Sequence, residues 1–249
     1  MASDRRLEAL RDPEAFRKWN EEMAQKYDPE AYHAHPNPAV RFVERLRVRR
    51  LLELLEVRPG DRVLEVGCGA GNILEQIGPG AELHGVDLSP FLLEKAARRL
   101  GPRAVLQQGF AEKLPYADAS FDRVYCSEVL EHVLDPGAVL GELRRVVRPG
   151  GRVVVSFPNE HLIDRVKDGL RRLGLWRLFA GRSEGAMAGA GGGTYQAAER
   201  MGDEWHLHEL SVEDVRRLVA GRLTVERQSD VPSRLFPLRH VVALRPVAG

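Results

Sequence analysis

The stretch that most constrains this chain is Glu65-Val66-Gly67-Cys68-Gly69-Ala70-Gly71. It follows the apolar run Arg62-Val63-Leu64-Glu65-Val66, which reads as a strand, and it precedes Asn72 to Ile77, which reads as the start of a helix. Glycines so closely spaced let a backbone turn tightly and approach a ligand, and a helix N-terminus beyond them would offer unpaired N–H groups to negative charge. The next strand, Leu83-His84-Gly85-Val86-Asp87, ends in a carboxylate twenty residues after Gly67. That spacing suits a carboxylate accepting hydrogen bonds from ribose hydroxyls, so the two features together predict a nucleoside-containing cofactor. Dinucleotide sites carry G-x-G-x-x-G, whose last glycine would fall where this chain has Asn72.

The alternation continues beyond this unit. Apolar residues recur at helical spacing over Val40–Leu55, Pro90–Leu100 and Pro136–Val147. Ala104–Gln107, Phe121–Cys126 and Gly151–Phe157 read as strands. Several strands are apolar on both faces, which predicts an α/β fold whose parallel sheet is covered on both sides. Residues 5–30 read as helical. After Pro158 the alternation stops, giving an amphipathic stretch over 161–180 and a glycine-rich one over 185–194. Ser211 opens a helix to about Val219, and Leu223–Gln228 and His240–Leu244 read as closing strands. The expected organisation is a helical cap over 1–58, a cofactor-binding core over 59–157, a lid or substrate insert over 158–210, and a C-terminal helix and strands over 211–249.

Composition narrows the function classes. With 43% hydrophobic and 29% charged residues among 249, general disorder is excluded. No apolar run approaches the ~20 residues that span a bilayer. Basic and acidic side chains number 37 and 36, so bulk charge makes no case for a nucleic-acid partner. Cys68 and Cys126 form no disulfide framework and no zinc-type spacing, and both read as small apolar fillers. The charged start of the chain carries no apolar leader, so the expected compartment is a reducing cytoplasm.

Four ordered motifs carry a family likeness: Val63-Leu64-Glu65-Val66-Gly67-Cys68-Gly69-Ala70-Gly71; Gly85-Val86-Asp87-Leu88-Ser89-Pro90; Ala111-Glu112-Lys113-Leu114-Pro115-Tyr116 with Ser120-Phe121-Asp122; and Arg148-Pro149-Gly150-Gly151. In these the chain resembles the class I S-adenosylmethionine-dependent methyltransferases, in particular the ubiquinone-biosynthesis-type small-molecule enzymes, over roughly 40–157 and more weakly 205–245. The resemblance implies a doubly wound, mostly parallel, seven-stranded Rossmann-like sheet with helices on both faces, and S-adenosylmethionine as cofactor. It assigns Glu65 and Gly67 to the methionine end, Asp87 to the ribose diol, Leu88 to the adenine face, and Phe110 with the Ala111 N–H to the adenine edge. Cys68, Gly69, Gly71 and Ser127 complete the expected cofactor-binding set. Many relatives carry Asp where this chain has Phe110, which removes an acceptor for the exocyclic amine. Glu112 reads either as its substitute or as a solvated residue.

The run Ser127-Glu128-Val129-Leu130-Glu131-His132-Val133 follows the fourth strand, at the carboxyl edge where open α/β sheets bind ligands. If 128–132 is helical, Glu128, Glu131 and His132 share a face. Glu128 and His132 are the catalytic candidates. Three readings stand side by side: His132 as general base or substrate contact, a divalent metal ion held by the cluster, and a structural role. Similar runs in ubiquinone-biosynthesis and small-RNA 2′-O-methyltransferases imply the metal, with His161, His206 or His208 as a further ligand. The 161–179 stretch reads either as a lid over a lipophilic substrate, its basic face on anionic headgroups in peripheral membrane contact, or as a helix packed on the core. Trp205 and one neighbouring histidine are placed at the acceptor pocket, against core packing as the alternative. The resemblance implies that Tyr27 and Tyr32 close over the cofactor, against surface helix residues as the alternative. The expected function is methyl transfer, as O-methylation, to a small or lipid-like acceptor. The alternatives are an RNA methyltransferase, supported by Arg richness and the cluster, and a non-catalytic module with a degenerate cofactor site, supported by Phe110.

Overall fold

The computed structural model describes residues 4–30, 37–175 and 204–247. Tyr32 and the 185–194 glycine-rich stretch lie outside them, as does 176–180 of the amphipathic stretch. The N-terminal helical reading resolves into α1 (Asp4–Ala9) and α2 (Pro13–Tyr27). Asp12 separates them because its carboxylate accepts the Ala15 N–H at 2.9 Å, and Pro13 begins the new helix where its missing N–H costs nothing. The same device starts α3 (Pro38–Leu55), where the Asn37 side chain accepts from the Ala39 N–H at 2.9 Å.

Seven strands follow among the described residues: β1 (Arg62–Val66), β2 (Glu82–Asp87), β3 (Ala104–Gln108), β4 (Phe121–Ser127), β5 (Val147–Pro158), β6 (Leu223–Ser233) and β7 (Phe236–Pro246). They form one sheet in the order β3-β2-β1-β4-β5-β7-β6. Between them lie α4 (Pro90–Leu100), α5 (Pro136–Val146), α6 (Glu160–Arg172) and α7 (Val212–Val219). The sheet is mostly parallel, as expected, with β7 as the reversed strand. β6 and β7 are joined by a tight hairpin, so β7 must run back along β6, and it inserts between β6 and β5, antiparallel to both.

Both faces of the sheet are apolar, with period-2 alternation. Leu64, Val66, Val124, Cys126, Val153, Val155, Val242 and Leu244 pack with α5 and α7 on one face. Val63, Tyr125, Val154, Val241 and Ala243 pack on the other against Val48, Leu51 and Leu55 of α3. Each such burial contributes about 1.5–3 kcal/mol, which fixes the strand register against a one-residue slip. Cys126 belongs to this core, as the filler reading requires. Glu65 and Ser156 fall by the same alternation on the α3 face.

Two expectations are corrected. The helix predicted from Asn72 is only a 3₁₀ turn, Leu74–Gln76, because Gly78-Pro79-Gly80 stops the chain too soon for an α-helix. The amphipathic stretch becomes α6, which ends at Arg172 and passes into Gly174 in left-handed backbone (φ 66°). The order of strands reverses between β1 and β4, and the carboxyl ends of these two neighbours open side by side. That is where a crevice forms in open α/β sheets.

Candidate active site

A cavity of about 660 Å³ lies over those carboxyl ends, closed by residues of α2, α3, α6 and the β6–β7 hairpin. Its floor is the glycine turn. The Gly67 and Cys68 N–H groups both donate to the Val86 carbonyl, at 2.7 and 3.0 Å, which pulls the turn against β2. Gly67 has φ 72°, and a Cβ there would stand 2.3 Å from Val129 Cγ2. Gly67→Ala therefore meets left-handed strain and a packing clash together, and should cost about 2–4 kcal/mol. Thermal unfolding checks this, and Gly67→Ala combined with Val129→Ala should recover only the steric part. Gly71 does not line the cavity; it stands against Leu100, whose Cδ1 a Cβ would meet at 2.8 Å. Cys68 lines it, but burial holds its thiol well above the ordinary range.

Asp87 ends β2 with its carboxylate over this turn. Oδ2 accepts the Gly69 N–H at 2.8 Å and Oδ1 the Ser89 N–H at 2.9 Å. Burial raises its pKa against these N–H groups, which favour the ionised form. Glu65 is 2% exposed, and its Oε2 is buried without a hydrogen-bond partner. Burial pushes its carboxyl up to about 8, with the neighbouring Asp87 carboxylate adding to the shift. A buried acid with one unpartnered oxygen beside an open cavity fits a ligand that brings a cationic group, such as an amino acid ammonium. Leu88, Phe110 and Ala111 line the next part of the cavity, where β2 and β3 end. Phe110 packs against Phe16 of α2, with ring centroids 6.3 Å apart and planes at 27°. Glu112 also lines the cavity, and its Oε1 accepts the Leu134 N–H at 3.0 Å.

The segment after β4 departs from the helix expected of it. Glu128 sits in left-handed backbone (φ 54°), and residues 128–135 are bends and turns up to the start of α5. The shared helical face of Glu128, Glu131 and His132 does not form. Glu128 turns instead to Arg239, 2.8 Å away, and accepts from Ser156 Oγ at 3.0 Å. Glu131 stays with His132 and is joined by His206, with one potential ligand atom from each within 4.8 Å of the others. Glu131 Oε2 is buried and unpartnered, and burial followed by the nearby Glu128 carboxylate raises its pKa. A divalent ion would have these three residues to hold it, not the expected trio. His161 is exposed beside Glu209, and His208 Nε2 donates to the Val133 carbonyl at 2.9 Å, so neither joins the group.

His132 has a defined tautomer. Nδ1 lies 3.3 Å from the Trp205 carbonyl, which can only accept, so the proton sits on Nδ1 and Nε2 keeps a lone pair. Burial and the adjacent His206 hold its pKa well below 6.5, so the ring is neutral at physiological pH. Trp205 lines the cavity and packs on His132, with centroids 4.6 Å apart. Tyr27 does not reach the cavity; it stacks behind Trp205, and its hydroxyl donates to Glu204 at 2.6 Å. His206 Nδ1 stands 2.6 Å from Glu160 Oε1.

Sequence reasoning missed a second polar group on the cavity wall. Arg47 of α3 is buried, donates through Nε to Glu44 at 3.0 Å and through Nη1 to Ser156 Oγ at 3.0 Å, and also reaches Ser127. Ser127, expected at the cofactor, thus lines the cavity but is held from behind by Arg47. The i, i+3 spacing of Glu44 and Arg47 was the available signal. Arg239, on β7, gave none.

Comparison with known proteins places this geometry. The sequence profile of a methyltransferase domain matches residues 64–155. The ubiquinone biosynthesis O-methyltransferase of Xylella fastidiosa is 39% identical over 109 residues, 41% of this chain and 44% of that protein. The 27-O-demethylrifamycin SV methyltransferase of Amycolatopsis mediterranei is 36% identical over 114 residues, 43% of this chain and 42% of that protein. Each match spans less than half of the relative's length. Among solved structures, the complex of a putative methyltransferase with the Haloferax volcanii Trm112 activator shares the fold, with a TM-score of 0.58 at 18% identity over 81% of this chain and 89% of that one. Residues 64–155 are therefore similar to a methyltransferase domain, over less than half of the chain.

Proposed function

We propose that this chain transfers a methyl group from S-adenosylmethionine to a hydroxyl of a small or lipid-like acceptor. One observation carries the reading: a single cavity joins Glu65 and Asp87 to an apolar chamber walled by Val43, Ile163, Val166, Leu170, Phe236 and Leu238, with His132 also on its wall. Such a chamber favours an acceptor with an apolar body. Leu235, 96% exposed beside the rim residue Phe236, is suited to lipid contact at the mouth. The relatives that act in ubiquinone biosynthesis and on a rifamycin agree with that choice.

Glu65, Gly67, Asp87, Leu88 and Ala111 would hold the cofactor, whose sulfonium supplies an already electrophilic methyl. The chain's own task is to align the acceptor oxygen, exclude water and receive its proton. His132 Nε2 is the proton acceptor in this reading. Its low pKa makes it a weak base, but one that is always in the competent form at neutral pH.

Tritiated methyl from labelled cofactor, offered to fractionated extracts, should enter lipid or small-molecule fractions; label confined to RNA would overturn the acceptor class. His132→Ala should lower kcat by about 10²–10⁴-fold, with S-adenosylhomocysteine binding retained. Exhaustive chelation should leave turnover intact. Loss restored by magnesium would move the role of Glu131, His132 and His206 from proton transfer to metal binding.

A further inference from the structure

Behind the glycine turn, one side chain touches three separate segments of chain. Arg99, in the last turn of α4, donates through Nε to the Ala70 carbonyl of the glycine turn at 2.9 Å. Through Nη1 it donates to Glu75 Oε2 at 2.8 Å, in the 3₁₀ turn that follows, and through Nη2 to Glu30, just beyond α2. A guanidinium can serve three partners because its donors form a rigid planar fork, which an ammonium lacks. Lys95, one turn earlier, adds Asp28 at 2.6 Å and Glu30 at 3.0 Å. Asp28 caps α2 in left-handed backbone (φ 31°), so both cations grip the chain where it leaves that helix. Against burial, which works the other way, Lys95 and then Arg99 hold the Glu30 carboxyl below its ordinary range. Pro29, Glu30 and Ala70 line the cavity, whereas Lys95 and Arg99 do not.

Resting on the S-adenosylmethionine reading above, we propose that Arg99 is a positioning residue for the cofactor. It ties the chain leaving α2 to the glycine turn on the cavity floor, and so holds two walls of the cofactor slot together without touching the ligand. The turn is already seated on α4 through Gly71 and Leu100, so one helix fixes both walls. A ligand leaving the slot must part them, which makes its escape rate the quantity that Arg99 controls. The Arg99 and Glu30 side chains are 25% and 33% exposed, so dissolved salt reaches this tie and weakens it. A purely apolar clamp would not be screened in this way.

The test follows release of tritiated S-adenosylhomocysteine from the whole chain, chased with unlabelled ligand, and needs no acceptor. Arg99→Met should speed release by about tenfold, and Glu30→Gln, which spares Ala70 and Glu75, by about three- to fivefold. Arg99→Lys keeps the charge but not the fork, and should recover only part of the loss. Arg98→Met is the control. Arg98 pairs with Glu94 on the exposed side of the same helix at 3.1 Å, and its loss should leave release within about twofold of wild type. Raising sodium chloride from about 0.05 to 0.5 M should speed release from the wild type by about threefold or more, and Arg99→Met should lose that response. Circular dichroism and the melting temperature show which variants are folded; where Arg99→Met is not, Glu30→Gln decides. Release within about twofold of wild type in folded Arg99→Met or Glu30→Gln would overturn the proposal, as would a salt response that Arg99→Met keeps whole. Failure of S-adenosylhomocysteine to bind the wild-type protein would instead sink the cofactor reading on which the proposal stands.

Discussion

Replacing Asp87 with alanine should lower the affinity for S-adenosylhomocysteine by about a hundredfold to a thousandfold in isothermal titration calorimetry. Two losses combine. In the proposed function the carboxylate accepts from both ribose hydroxyls, and charge-assisted bonds contribute about 1.5–3 kcal/mol each. It also holds the Gly69 N–H at 2.8 Å and the Ser89 N–H at 2.9 Å, so its removal loosens the turn that forms the cavity floor. Asp87→Asn keeps one acceptor oxygen and should fall between the two. The melting temperature of each variant separates a lost contact from a lost fold. A change of less than about threefold in a folded Asp87→Ala would remove the ribose from this carboxylate, and with it the orientation of the cofactor.

A second large effect is expected with pH. Glu65, pushed up to about 8 by burial and by Asp87, is mostly protonated at neutrality in the empty protein. A ligand ammonium beside it favours the ionised form, so binding must release a proton. Affinity for S-adenosylhomocysteine should therefore rise by up to about tenfold per pH unit as pH approaches 8, and level off above it. Calorimetry in buffers of different ionisation enthalpy should detect the released proton, and Glu65→Gln should bind weakly with a flat profile. For the empty protein the sign is opposite. A carboxyl whose folded pKa stands above its ordinary 4.5 contributes stability that is whole below 4.5 and is lost as pH rises through about 8. Ligand protection against heat should thus be greatest on the alkaline side. A wild-type affinity independent of pH would place the ammonium elsewhere.

What could be read from the sequence was what is local. The turn at Gly67–Gly71 and the carboxylate of Asp87 were legible because left-handed backbone in a tight turn favours glycine, and because one βα unit fixes the spacing between them. The α/β sheet was legible from strands apolar on both faces. The site's other half was not. Nothing in the composition of Glu128 announces left-handed backbone, yet that one residue breaks the helical face on which the Glu128-Glu131-His132 grouping depended. His206 replaces Glu128 only because the backbone N–H groups of Leu207 and His208 donate to the Glu131 carbonyl, a contact across more than seventy residues of chain. Arg47 was one arginine among many until folding set it against Ser127 and Ser156, which come from two separate strands. The helix expected after Gly71 failed for a local reason that was in view, the Gly78-Pro79-Gly80 sequence close behind it.

The placement of β7 bears on how the molecule is born. It lies between β5 and β6 and carries Arg239 to Glu128, so a growing chain holding everything through α6 still has a naked β5 edge and a wall missing from the chamber. Such an edge is sticky. During synthesis the nascent polypeptide is therefore most exposed to aggregation just before the β6–β7 hairpin emerges from the ribosome. Truncation ahead of Leu223 should remove solubility before it removes the glycine turn and Asp87 at the cavity floor.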